Sequence, residues 1–469
     1  MSSRLLVEQI CDSAKQASEF MATLDGRGKA NFLRLLVSRF ESHEEELLNI
    51  LKMEDGIEEE SATSQIVGMN RQLFDFAELI EEGNWVDARI DPAQPDRKPV
   101  AKPDMRAMLR PLGPVLVFCA EGAPLVFSIV GREVVSAWAS GCPVMVMINS
   151  ACGQIHNFFD ALINRTLSEL KWPEGCFSLV SSDSEQFESE LVQNTEIMSI
   201  AYTGPKEKFR TAFQTAQKRK CPVLIFEKNE SLNPVFFFPG FSTNFAKKFL
   251  HDLHSLVDHE EDPYYPVPGI IFHPEGETGE RLLHFLIGEI KFTGIQNDFE
   301  EVDEKFLKSS NFKFHGCLGK KKVRICSVNS NAYLSERDSF DKNFGPSLFF
   351  VTYRSTEELG EIVASINGQW RVHLFGSPED LENHAQLVES LELKAGELYF
   401  NQSVGFDQSS RERLFGGPFP VSSDFRTSHY PSGFISRFCR PVCYQNFPDE
   451  FLPTELQRSN SLGLNRHES

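Results

Sequence analysis

From residue 111 onward, short unbroken apolar runs alternate with stretches of helical periodicity, and this alternation restricts the chain to few architectures. The runs are Val115–Cys119, Val144–Ile148, Phe177–Ser181, Met198–Tyr202, Val223–Phe226 and Val235–Phe238. Helical patterns lie between them, near 125–139, 154–170, 184–192 and 206–218. A strand that is apolar on both faces must be covered on both, as in a parallel sheet flanked by crossover helices. The expectation is a doubly wound α/β domain, a fold that binds ligands outside the carboxyl ends of its strands. After Pro239-Gly240 a second α/β region follows. Its helices are expected near 243–256, 277–289, 355–366 and 378–392, and its strands at 269–273, 322–328, 347–352, 371–375 and 398–400.

The flanks read differently. The first 90 residues are helical in pattern: Phe32, Leu35, Leu36, Phe40, Leu47 and Leu51 recur at helical spacing, Gly56 is a stop, and a second pattern covers 64–82. Residues 91–106 hold four prolines, which suits an extended connector or an edge strand. The polar end of the chain, 459–469, is expected to fray.

Composition then excludes several classes. With 67 acidic against 47 basic side chains the formal charge is −20, the wrong sign for nucleic acid or an anionic membrane. The most apolar stretch, 114–131, is broken by Glu121, Gly122 and Pro124 and is too interrupted to span a bilayer. Ten cysteines without a CxxC pair suit free thiols in a reducing compartment, and with no signal-type apolar segment at the start the expected location is cytoplasmic. The 41 phenylalanines, against 8 tyrosines and 4 tryptophans, read as core filler. Two groups, Phe236-Phe237-Phe238 with Phe241 and Phe349-Phe350 after Phe344, are candidates for filling a ligand cleft.

Local motifs for chemistry are sparse. No GxGxxG, GxxxxGK[ST], HExxH or GxSxG occurs. His251, His254 and Asp258 share one helical face and form a donor set that a divalent metal accepts. A solvated helix end competes with that reading, because Glu260, Glu261 and Asp262 continue the charge.

Longer segments carry a resemblance. Arg110–Phe118 through Pro124–Ser128, Gly141-Cys142-Pro143-Val144, Tyr202-Thr203-Gly204, Asn233-Pro234-Val235, Pro268-Gly269 and Phe344-Gly345-Pro346 resemble aldehyde dehydrogenases, in order and over nearly the whole chain. Trp85–Ile90, Pro95–Pro99, Ala395-Gly396 with Phe400-Asn401, Gly416–Pro420 and Arg440–Asn446 are most similar to the bacterial α-ketoglutaric semialdehyde (2,5-dioxovalerate) branch. The resemblance implies a Rossmann-like cofactor-type domain (1–90 and 107–239), a catalytic-type α/β domain (240–433) and small bridging or oligomerisation segments (91–106 and 434–469). It also implies a homo-oligomer, dimer or tetramer, with a hetero-oligomer with an active relative as the variant.

The family reaction needs a cysteine thiolate to attack the aldehyde, donors for the oxyanion, a nicotinamide to take hydride, and a glutamate to activate water. Matched residue by residue, the resemblance puts Tyr265 at the nucleophile's place, with Tyr264 beside it. No cysteine lies between Cys221 and Cys317. Tyrosine, with a pKa of ~10, is far less ionised at neutral pH than a thiol near ~8.5. Lys228 stands for the general base, with Glu227 and Glu230 as the nearest carboxylates, one of which a one-residue shift of register would bring into play. Gly122 stands for the oxyanion amide. On the cofactor side Thr203, Gly204 and Phe344 are retained, while Met147 replaces a ribose-binding lysine, Pro205 a phosphate-side serine and Lys342 a ribose-binding glutamate. Register error or branch variation accounts for any one loss. Taken together they describe a scaffold kept without its chemistry: a pseudoenzyme with a binding, structural or regulatory role and no or weak NAD(P) binding. The alternative is an active NAD(P)-dependent enzyme for a semialdehyde or fatty aldehyde, using displaced groups.

Overall fold

The computed structural model describes residues 3–54, 56–119, 125, 128–148, 153–182, 184–204, 206–229, 231–258, 268–292, 313–318, 323–337, 347–402, 412–424, 426 and 431–468. The chain divides into two compact units, Met1–Glu227 with Thr427–Ser469, and Lys228–Arg426.

The first unit opens with helices α1 (Ser3–Met21), α2 (Gly26–Ser42), α3 (Glu44–Glu54) and α4 (Glu59–Glu82). Each buries one apolar stripe, and the ends are chemically marked. Asp25 accepts from the Gly28 N–H at the start of α2, and Gly83, left-handed at φ 73°, closes α4. Strands β1 (Arg89–Asp91), β2 (Met105–Pro111) and β3 (Val115–Phe118) follow, then α5 (Arg132–Ser140), β4 (Val144–Ile148), α6 (Gln154–Glu169), β5 (Phe177–Ser181), α7 (Glu185–Gln193), β6 (Ser199–Thr203), α8 (Lys206–Gln217) and β7 (Leu224–Lys228). The sheet order is β5-β4-β3-β6-β7, and β5, β4, β3 and β6 run parallel. This is the doubly wound sheet that the unbroken apolar runs predict. Helix α5 starts at Arg132 rather than near 125, because residues 128–131 form a turn in which Gly131 donates to the Ser128 carbonyl.

The second unit contains β8 (Val235–Phe237), α9 (Thr243–Asp258), β9 (Ile270–Pro274), α10 (Glu277–Phe292), β10 (Lys313–Leu318), β11 (Val323–Asn329), α11 (Ser330–Ser335), β12 (Ser347–Tyr353), α12 (Thr356–Ser365), β13 (Gln369–Phe375), α13 (Pro378–Asn383), α14 (Ala385–Glu392) and β14 (Ala395–Phe400). Its sheet has the order β10-β11-β12-β9-β8-β13-β14, with only β10 antiparallel to its neighbour. The run 235–238, expected as the last strand of the first domain, is a central strand here, because β8 pairs with β9 and β13. The single helix expected over 378–392 breaks at His384, whose backbone leaves the helical region and whose ring Nδ1 donates to the Asp380 carbonyl.

The phenylalanine groups resolve into core. Side chains alternate across a strand. Phe236 and Phe238 therefore pack on one face of the second sheet with Phe272 and Phe349, while Phe237 packs on the other with Phe241, Phe249, Phe350 and Phe375. These rings build the two faces of a sheet; they do not line a vacated cleft. Phe344 lies outside the described residues.

The chain returns to the first unit as α15 (Pro431–Arg437), β15 (Cys439–Gln445) and β16 (His467–Glu468). A four-stranded sheet forms in the order β15-β2-β1-β16. Between β1 and β2 the proline-rich segment folds back on itself through a bridge between Gln94 and Lys102, and Lys102 ion-pairs with Asp91. The end of the chain is tied down rather than frayed: Leu464 is buried, the Asn465 N–H donates to Asn84, and β16 pairs with β1. No helix among the described residues is long and apolar enough to cross a membrane.

Candidate functional site

In the first unit the strand order reverses beside β3: the next strand, β4, lies on one side and β6 on the other. The carboxyl ends of β3 and β6 thus define the switch point where such sheets take ligands. Met147, near the end of β4, is buried in an apolar cluster with Leu116, Tyr202 and Phe209. Tyr202 stacks on Phe209 with centroids 4.6 Å apart, and Phe118 meets the same ring edge-on at 5.4 Å. A thioether filling this space offers no donor to a sugar hydroxyl.

Thr203 fits a ligand better. It ends β6, is buried, and its hydroxyl finds no partner within the described protein. Gly204 follows at φ 150°, where an added Cβ would sit 2.8 Å from the Tyr202 hydroxyl, so only glycine leaves this turn unstrained. Helix α6 begins just after β4, and helix starts attract phosphate. Here Glu54 already occupies the place: the Gln154 and Ile155 N–H groups donate to its carboxylate at 2.6 and 3.3 Å. Thr203 and Gly204 are therefore compatible with a dinucleotide phosphate, whereas Met147 offers a ribose no donor and Glu54 occupies the start of α6.

Lys228 opens the second unit. It is buried, and a bridge to Ser422 together with the bond from the Asn229 N–H to the Val421 carbonyl holds its backbone. Its Nζ sits 3.6 Å from the centre of the Trp370 ring and 4.1 Å from that of Phe415. The faces of both rings are electron-rich and favour the charged ammonium. A polar lattice fixes the rings. The Trp370 indole N–H donates to the Leu414 carbonyl at 2.9 Å, and the Arg371 guanidinium lies over the same indole. Glu397 accepts from Arg371 at 3.0 Å, from Arg413 at 2.6 and 3.1 Å, from the Leu414 N–H at 3.0 Å and from the Tyr399 hydroxyl at 2.8 Å. A cation clamped in this way cannot act as the base that draws a proton from water.

Few of the other candidates are among the described residues. Glu227, the last residue of the first unit's main segment, is buried. His251 is exposed on α9; the side chains of His254 and Asp258 lie outside the described residues, as do Gly122, Pro205, Glu230, Tyr264, Tyr265 and Lys342. Among the described residues no group of three or more histidine, cysteine or carboxylate side chains could hold a metal. Burial pushes the Cys11 and Cys176 thiols up to about 12, and raises Cys142 and Cys439 as well, so none of these supplies a thiolate near neutrality. Trp370, Phe415 and Glu54 escaped the sequence reading. Nothing local marks them, since each matters through a partner about a hundred or more positions away.

A doubly wound five-stranded unit and a seven-stranded α/β unit in one chain are those of an aldehyde-dehydrogenase-type fold. Solved structures agree. Glyceraldehyde-3-phosphate dehydrogenase from Methanocaldococcus jannaschii, complexed with NADP, matches with a TM-score of 0.74 at 16% identity, covering 95% of this chain and 94% of that one. 3,6-Anhydro-L-galactose dehydrogenase matches with a TM-score of 0.71 at 14% identity, covering 94% and 91%. The sequence model of the aldehyde dehydrogenase family matches residues 2–229. Alpha-ketoglutaric semialdehyde dehydrogenase 2 of Azospirillum brasilense is 28% identical over 98% of this chain and 90% of its own. The corresponding Acinetobacter baylyi enzyme is 26% identical over the same shares. Residues 2–229 thus match the aldehyde dehydrogenase family, and the chain over nearly its whole length is similar to two of its members.

Proposed function

We propose that this chain is a non-catalytic member of its family that works by binding, as a structural or regulatory partner of an active relative or of another protein. One observation carries the reading: Lys228, which the resemblance aligns with the general-base carboxylate, holds its ammonium against Trp370 and Phe415. The sequence supports it as well, because the resemblance aligns Tyr265 with the nucleophile and no cysteine lies between Cys221 and Cys317. Weak or absent NAD(P) binding belongs to the same proposal, supported by the apolar burial of Met147 and the capping of α6 by Glu54.

The test follows absorbance of NAD(P)H with a panel of semialdehydes and fatty aldehydes. No turnover is expected, and calorimetry is expected to find no micromolar NAD(P) affinity. Turnover that disappears when one cysteine is alkylated would overturn the reading. That result would favour the second one, oxidation of a semialdehyde by displaced groups, which the full-length similarity to two α-ketoglutaric semialdehyde dehydrogenases supports. Cys119 is then the first thiol to examine, being half-exposed just past the end of β3.

Assembly is part of the proposal. Segments 91–106 and 440–452 match those that join family subunits, so a cytoplasmic dimer or tetramer, or a hetero-oligomer with an active relative, is expected. Mass photometry at micromolar concentration showing monomer alone would remove this part.

A further inference from the structure

We draw no further inference here: the strongest candidate, the exposed apolar surface patch of Phe447 and Phe451 beside the edge strand β15, falls within the segment 440–452 already proposed to join subunits, and nothing in the structure shows what covers it.

Discussion

The two units answer the same problem, how to fill space around a sheet, with opposite chemistry. Beside β4 and β6 the first unit uses carbon and sulfur: Met147, Tyr202, Phe209 and Phe118 close on one another. At the corresponding focus of the second unit an ionic lattice of Arg371, Glu397 and Arg413 braces two rings around Lys228. Apolar filling tolerates change gradually, whereas a buried lattice requires every charge to be paired. Among the described residues of the first unit, Glu133 and Arg437 form a comparable buried pair at 2.8 Å.

The contrast can be broken most sharply at Glu397. Replacing it with alanine removes the carboxylate that Arg371 and Arg413 share, beside a buried Arg371, and should cost about 3–5 kcal/mol in urea unfolding. A loss below ~1 kcal/mol would mean that the lattice is decorative. Glu133→Ala orphans only Arg437, which also lies over the rings of Phe226 and Phe434, so a loss of about 3 kcal/mol is expected there. Equal costs at the two sites would erase the distinction between the units.

Lys228→Glu puts a carboxylate where the resemblance expects the general base. It sets an anion against two ring faces, and a loss of about 2–3 kcal/mol with no gain of aldehyde oxidation is expected. A variant that both folds and reduces NAD(P) would show that the base alone was missing.

Acid separates the units more gently. Burial lowers His273, on β9, from 6.5 to about 4. The folded state therefore prefers the neutral ring, so the contribution is full above pH 6.5 and is lost as pH falls towards about 4. Between pH 7.5 and 5.5 this amounts to about 1–1.5 kcal/mol, and it should vanish in His273→Gln. A slope that survives this change would assign the acid sensitivity elsewhere. The smallest effect is expected at Glu54→Ala, about 1 kcal/mol, as for other helix caps. Phosphate or NADPH affinity appearing in that variant would show that the cap had been masking an anion site.

Much of this architecture was legible because strands buried on both faces are written as unbroken apolar runs. Val144–Ile148 and Phe177–Ser181 fall on β4 and β5 without adjustment. The run at 235 was read as a strand correctly and assigned to the wrong sheet, since an apolar run records burial and carries no information about its neighbours. Strand β10 was missed because its segment, KFHGCL, alternates weakly and pairs on one side only. At the candidate site, Lys228 and Met147 drew notice through the resemblance alone. Their present roles were not visible, because a lysine's partners lie far off in sequence.

The amino-acid order alone determined the α/β class, the family resemblance and the absence of a cysteine between 221 and 317, since all three are properties of local pattern and residue identity. Only the tertiary structure decided that Lys228 sits between Trp370 and Phe415 and that Glu54 caps α6. Those are contacts across large separations, set by how the sheets and helices pack.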